Sequence, residues 1–226
     1  MLPGQPLEIP LLAVAVLLPI ALSPFTYLAG RAGHWRASAV FCHATMFIPL
    51  AIILFHLPGM LQGLAYHEEY RWVPSLGLTV GFVLDSLSYP FALLMALMGF
   101  LASIYSHKYM EREHATEAYF TLLQLFNAGM MGVVLVSNLF LFYIFWELML
   151  IPSYALIAYW GTGNPRLISF KYFIFTHAGA LALLIGIAWL AALFGNLNIY
   201  ELAQLAAPQA QALRTTLVTI SVLIFI

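Results

Sequence analysis

"FYIFWELMLIPSYALIAYWG", residues 142–161, carries one charged side chain, Glu147, among residues that otherwise belong in hydrocarbon. Twenty residues of this kind match the roughly 20 that an α-helix needs to cross a bilayer core. An acidic residue at the centre of such a helix costs about 3 kcal/mol on insertion scales. The apolar neighbours offset that cost, so the helix still inserts. The carboxyl nevertheless needs a partner, a water pocket or a shifted pKa. Desolvation raises a buried carboxyl's pKa and a nearby cation lowers it, so a group under both influences can take up and release a proton near neutral pH. The alternative is a protonated Glu147 that only hydrogen-bonds a neighbouring helix. Five residues on, Pro152 has no N–H, which leaves the Leu148 carbonyl without its helical partner. Ser153 is a candidate to satisfy that carbonyl. Pro152 thus marks either a loosened, hydrated helix beside the acid or a simple packing kink.

The rest of the chain repeats the pattern. The 226 residues are 63% hydrophobic and 8% charged, whereas a soluble domain is roughly 25% charged. The apolar residues come in long blocks. They predict an all-α, polytopic transmembrane bundle of six spans, near 9–29, 35–57, 82–105, 119–136, 139–160 and 167–194. A seventh apolar run opens at Leu213 and reaches the last residue, Ile226, after 14 residues. At 1.5 Å per residue it covers about 21 Å, short of a hydrocarbon core about 30 Å thick. The expectation is one transmembrane domain over 1–226, cut within its seventh helix. The first block follows Glu8 without a basic region and is too long for a signal-peptide core, so it is read as a retained helix.

Between spans two and three, "PGMLQGLAYHEEYRWVPSLGLTV" (58–80) reads as an extramembrane loop, with a short hairpin from 71 to 83. "SHKYMEREHATE" (106–117) is the most polar stretch, Ser137-Asn138 a tight turn, and "GTGNPR" (161–166) a second turn. "NLNIYELAQLAAPQAQ" (196–211) reads as a short surface helix, with Asn198 and Glu201 in capping-box spacing. Alternating the spans puts Arg31, Arg36, Lys108, Arg112 and Arg166 on one side and only Arg71 and Arg214 on the other. The positive-inside rule then places the N-terminus outside and the Lys108 loop in the cytoplasm, or its equivalent compartment. The expected location is integral and multi-pass, in a bacterial or archaeal plasma membrane or an organellar inner membrane.

Two further ionisable residues lie within spans. Lys171 sits about four residues into the sixth span, as either an interfacial anchor that snorkels to the surface or a proton-path residue. His177, six residues on, diverges from Lys171 by well over a right angle. It is either a proton relay, given an imidazole pKa near 6.5, or a packing residue. His43 and His56 read as packing or interfacial groups, and Asp85 as a helix cap or ion-pair partner. Trp35, Trp72 and Trp160 sit at expected interfaces. The net charge of −1 offers no basic footprint for nucleic acid. The single cysteine, Cys42, lies in an apolar segment, and no Cys/His spacing suggests zinc. No phosphate loop, soluble catalytic set or iron–sulfur cysteine set is visible, so no cofactor, metal or catalytic residue is assigned.

Three stretches carry a resemblance. "LFYIFWELMLIPSYALIAYWG" (141–161) resembles the fifth helix of the antiporter-like membrane subunits of respiratory complex I, chain 4 (M-type) above all. "RWVPSLGLTVGFVLDSLSYPFALL" (71–94) is similar to that family's approach to its third helix, and "SFKYFIFTHAGALALLIGI" (169–187) to its sixth, with Lys171 on the family's lysine. The resemblance covers nearly the whole chain and implies a proton-translocating subunit of an NADH:quinone oxidoreductase, without a redox centre of its own. It implies other membrane subunits and the lipid bilayer as partners, with quinone reached only through the whole complex. In the family, the glutamate matched by Glu147 pairs with a lysine on the seventh helix, which this sequence does not reach. Mrp-type cation/proton antiporters and membrane-bound hydrogenases are the alternative relatives.

Overall fold

The structure, a computed structural model, describes residues 5–7, 9–32, 35–73, 78–209 and 214–225. Among the described residues, six helices are long and apolar enough to cross a membrane. They are α1 (Leu11–Arg31), α2 (Trp35–Phe55), α4 (Ser88–Tyr109), α5 (Thr116–Leu135), α6 (Leu139–Trp160) and α7 (Pro165–Phe194). A short helix, α3 (Leu57–Leu61), continues α2 past a turn at His56. Two more follow α7: α8 (Ile199–Ala206) and α9 (Arg214–Phe225). The chain is an integral, multi-pass membrane protein. The fifth span has the bounds expected from sequence. Leu213 and Ile226, the ends of the seventh apolar run, lie outside the described residues.

α5 is the hub of the bundle, packing on α1, α2 and α4 and, on its other side, on α6; α7 packs on α6. One apolar core joins Leu12 and Val16 of α1 to Ile53 of α2, Ala92 of α4, Met131 of α5 and Phe145 of α6. A second, smaller core gathers Cys42, Met46, Met110 and Phe120 near the Lys108 end. Polar contacts tie the helices where proline interrupts them. Pro24 leaves the Ile20 carbonyl without a helical donor, and the Ser23 hydroxyl fills the gap at 2.8 Å. Gln124 of α5 donates to the Pro19 carbonyl and accepts from Thr26, both at 2.7 Å.

The third span corrects the sequence reading. Residues expected to start that helix, Phe82–Leu84, instead close a strand, β3 (Leu78–Leu84), and α4 begins at Ser88. A short apolar run satisfies strand and helix patterns alike. Here the end of the run decides the matter: Asp85 Oδ1 accepts the N–H groups of Leu87 and Ser88, and Ser88 Oγ accepts the Asp85 N–H. The expected hairpin is real but longer than read. β2 (Tyr66–Val73) pairs antiparallel with β3, and β1 (Gln5–Pro6) adds in parallel on its far edge. The hairpin tip, 74–77, lies outside the described residues.

The sheet closes the end of the bundle opposite Lys108, and Glu68 of β2 locks it there. This side chain is only 3% exposed, and its two carboxylate oxygens accept the N–H groups of Leu12 and Ala13 at 2.7 and 2.8 Å. A carboxylate from another element thus caps the positive end of α1. At the same end, Asn198 caps α8 as expected, accepting from Tyr200 and Glu201. The Glu201 side chain does not return to the cap; it accepts from Asn196 instead.

Candidate functional site: a carboxylate–imidazole contact between α6 and α7

α6 owes its position to a cap and a close approach. Asn138 caps it, its side-chain oxygen accepting from Phe140 and Leu141. Gly129 and Gly132 of α5 face Met149 and Phe145 of α6 so closely that no side chain fits between. A Cβ on Gly129 would lie 2.9 Å from the Met149 backbone nitrogen. Glu147 lies between these two contact residues in the sequence of α6.

Its side chain, 20% exposed, meets His177 of α7, with Nδ1 to Oε2 at 3.4 Å. The separation suits an ion pair, but the atoms are not aligned for a hydrogen bond, and His177 Nδ1 and Glu147 Oε1 have no hydrogen-bond partner. The buried indole nitrogen of the adjacent Trp146 is also unpartnered. The Tyr143 hydroxyl, one turn back on α6, interacts with the same carboxylate. Phe173 stacks on the His177 ring, centroids 5.0 Å apart and planes within 13°. One rung nearer the turn, Ser153 and Tyr172 join hydroxyls at 2.9 Å. Ser153 donates to the Leu150 carbonyl, not to that of Leu148, which corrects the expectation for Pro152.

The sequence-expected residues therefore separate. Glu147 and His177 come together. Lys171 is exposed on α7, and no ion pair or hydrogen bond links it to another described residue. His56 is buried and donates from Nδ1 to the Ile52 carbonyl at 2.8 Å, as a packing residue would. Asp85 caps α4 and accepts the Tyr200 hydroxyl at 2.9 Å. Among the described residues, no three His, Cys, Asp or Glu side chains converge as a metal site. The Glu147–His177 pairing escaped the sequence reading, yet a signal existed. α6 and α7 form an antiparallel hairpin about "GTGNPR", and the two residues stand nearly equidistant from it, 13 before Trp160 and 12 after Pro165.

Residues 136–226 match the family described as NADH:quinone oxidoreductase/Mrp antiporter, TM. Residues 72–120 match NADH-Ubiquinone oxidoreductase (complex I), chain 5 N-terminus. The chain belongs to the antiporter-like membrane-subunit family. Among curated relatives, this antiporter-like subunit is 32% identical over 206 residues to an NAD(P)H-quinone oxidoreductase chain 4 of Synechococcus sp. strain JA-3-3Ab, covering 89% of this chain and 38% of that one. It is 31% identical over 175 residues to the antiporter subunit mnhA2 of Staphylococcus saprophyticus, covering 75% of this chain and 22% of that one. Its fold superposes on the Mrp complex from Dietzia sp. with a TM-score of 0.76, at 24% identity, over 94% of this chain and 22% of the other. The chain thus spans well under half the length of these relatives. Identity does not set Mrp subunits further off than chain 4, although the chain 4 match extends over more of this chain.

Proposed function

We propose that this subunit translocates protons in a complex I-type NADH:quinone oxidoreductase, with Glu147 and His177 as the proton-exchanging pair in the middle of the membrane. The observation that carries the reading is the 3.4 Å approach of the two side chains, in a setting where His177 Nδ1 and Glu147 Oε1 are buried without a hydrogen-bond partner among the described residues. A small rotation of either side chain turns the approach into a hydrogen bond and makes the carboxylate–imidazolium form favourable. Rotation away favours the neutral pair, in which the imidazolium's proton has passed to the carboxylate; the pair holds the same proton in both forms and gives it up only to a further carrier. A pair fully locked by hydrogen bonds would hold its proton instead of passing it.

Lys171 is proposed as the next carrier, since it stands on α7 with no partner among the described residues to fix its charge. Other membrane subunits of the assembly are the proposed partners, and quinone belongs to the assembly rather than to this chain. The second reading, a subunit of an Mrp-type cation/proton antiporter, draws on the 31% identity to the Staphylococcus subunit, against 32% to the chain 4 relative. Proton uptake into vesicles holding the assembled complex tests both. Glu147→Gln keeps the shape but cannot ionise. It should lower donor-driven pumping roughly tenfold or more, on the scale of losing a proton-transfer group, with assembly unchanged. Pumping at the parent rate in that variant removes Glu147 from the path. Sodium-dependent proton movement without an electron donor favours the antiporter reading.

A further inference from the structure

A second imidazole group lies away from this site, with α5 packed between it and α6. His43, nine residues into α2, and His107, near the end of α4, approach with Nε2 of the first 3.1 Å from Nδ1 of the second. His43 Nδ1 lies 3.1 Å from Ser103 Oγ, and the Ser103 hydroxyl donates to the Phe100 carbonyl at 2.7 Å. That last bond fixes every proton in the row. Ser103 has spent its hydrogen on a carbonyl, so it accepts from His43 Nδ1–H. The neutral His43 then presents a bare Nε2, which accepts from His107 Nδ1–H. The remaining nitrogen, Nε2 of the half-buried His107, is left with a lone pair.

The surroundings place the row at the polar end of the bundle. Trp35 stands against the His107 ring at 5.4 Å, and the Arg36 guanidinium lies over Trp35. Lys108 and Glu111 pair beside it, and Arg36 reaches Glu111 at 3.9 Å. From α5, Phe120 sets its ring edge-on to His43, while Tyr119 is engaged by Ser106. Cys42, the neighbouring thiol, is buried against Met46 and the Phe120 carbonyl. No carboxylate among these groups contacts either ring.

We propose that His43 and His107 form a proton-collecting site at the Lys108 end of α2 and α4, which holds a single excess proton between the two rings. A proton arriving at His107 Nε2 forms an N–H bond there. The Nδ1–H bond of His107 breaks as a bond forms at His43 Nε2, and the charge passes to His43. A second excess proton would set N–H against N–H across 3.1 Å and place two cations side by side, so uptake stops at one. The row does not continue inward, because it ends on the Phe100 carbonyl, which has no proton to pass on. The site stores and returns a proton rather than conducting it. Supplying the Glu147 site would rest on the proton-translocation reading; the storage itself does not.

The test uses the full chain, labelled with [15N]histidine, in lipid nanodiscs. The expected result is a 15N–15N coupling between His43 and His107 at neutral pH. The two rings should also titrate with a common midpoint and take up one proton in total between about pH 5 and 8. His43→Asn should abolish the coupling and move the His107 midpoint by about one unit or more. Absence of the coupling in the parent chain, two independent one-proton titrations, or an unmoved His107 midpoint in His43→Asn each overturns the proposal. Glu147→Gln, carried through the same titration, should leave the His43–His107 behaviour unchanged. Loss of pumping in that variant therefore bears on the proposed function alone.

Discussion

Glu147 lies about 19 Å along α6 from the turn that leads to α7, and His177 is level with it on the returning helix. The carboxyl was legible in the sequence because a lone acid in an apolar span is costly and stands out. Its partner was less visible, since spacing along one helix says nothing about the neighbouring helix until the hairpin is closed. Lys171 shows the limit from the other side. It shares α7 with His177, but its side chain is exposed and unpaired among the described residues, so either of its two roles fits its position. Substitution separates them. As a carrier, Lys171→Met should lower donor-driven pumping several-fold with assembly intact. Lys171→Arg should rescue little, because a guanidinium does not release its proton near neutral pH. If Arg substitutes without loss, Lys171 is an interfacial anchor.

Elements were legible where periodicity and punctuation agreed. The bounds of α6 followed from a turn on each side of an unbroken apolar run. The start of α4 did not, because Val80–Leu84 is apolar enough for a membrane and β-branched enough for a strand. Glu68 was read as part of a wet loop, and nothing local could show that it caps a helix some 55 residues earlier in the chain. Gly129→Ala places a methyl against the Met149 backbone, which cannot turn aside as a side chain can. Overpacking of this kind costs about 1–3 kcal/mol. It should lower the thermal midpoint of the detergent-solubilised chain and, by displacing α6 at Glu147, reduce pumping in the complex. An unchanged midpoint would mean that α5 and α6 are less tightly apposed than the structure has them.

Tyr200 of α8 is tied to the start of α4 through Asp85. Burial alone would raise the pKa of Asp85, but hydrogen bonds from Ser88, Tyr200 and Leu87 outweigh it and hold the carboxyl below its ordinary range. Burial and the Asp85 carboxylate push the Tyr200 phenol well above its usual value, so it remains a donor. A depressed folded-state pKa stabilises above the unfolded value, about 3.9, and that stability is lost as pH falls through the folded value. Asp85→Asn keeps an accepting oxygen but loses the charge, so it should be less stable than the parent by about 0.3–1 kcal/mol near neutral pH, the usual worth of an acidic group at a helix N-terminus. The gap should narrow below about pH 4. Thermal unfolding measured at both pH values checks this, and a gap that widens on acidification contradicts it.

At the scale of the whole molecule, the two ends of the bundle differ in kind. One end carries the sheet, the caps of α6 and α8, and the Asp85–Tyr200 bond. The other carries Arg31, Arg36, Lys108, Arg112 and Arg166, with Arg36 within 3.9 Å of Glu111 and the Trp160 indole donating to the His114 carbonyl. Contacts between residues far apart in sequence thus gather the cationic side chains that alternation of spans had assigned to one face. Lys and Arg resist transfer across a membrane, so the end that holds most of them stays in the compartment where the chain is made. The Lys108 loop should therefore be cytoplasmic and the β2–β3 hairpin external. Single cysteines at Arg112 and at Trp72, both exposed, can be introduced in a Cys42→Ala background and treated with an impermeant thiol reagent in intact cells. The expected outcome is labelling at position 72 and protection at 112 until the membrane is opened. The reverse pattern would invert the protein and put the His43–His107 row on the external side. Labelling at both positions would mean that α4, the candidate span between them, does not cross.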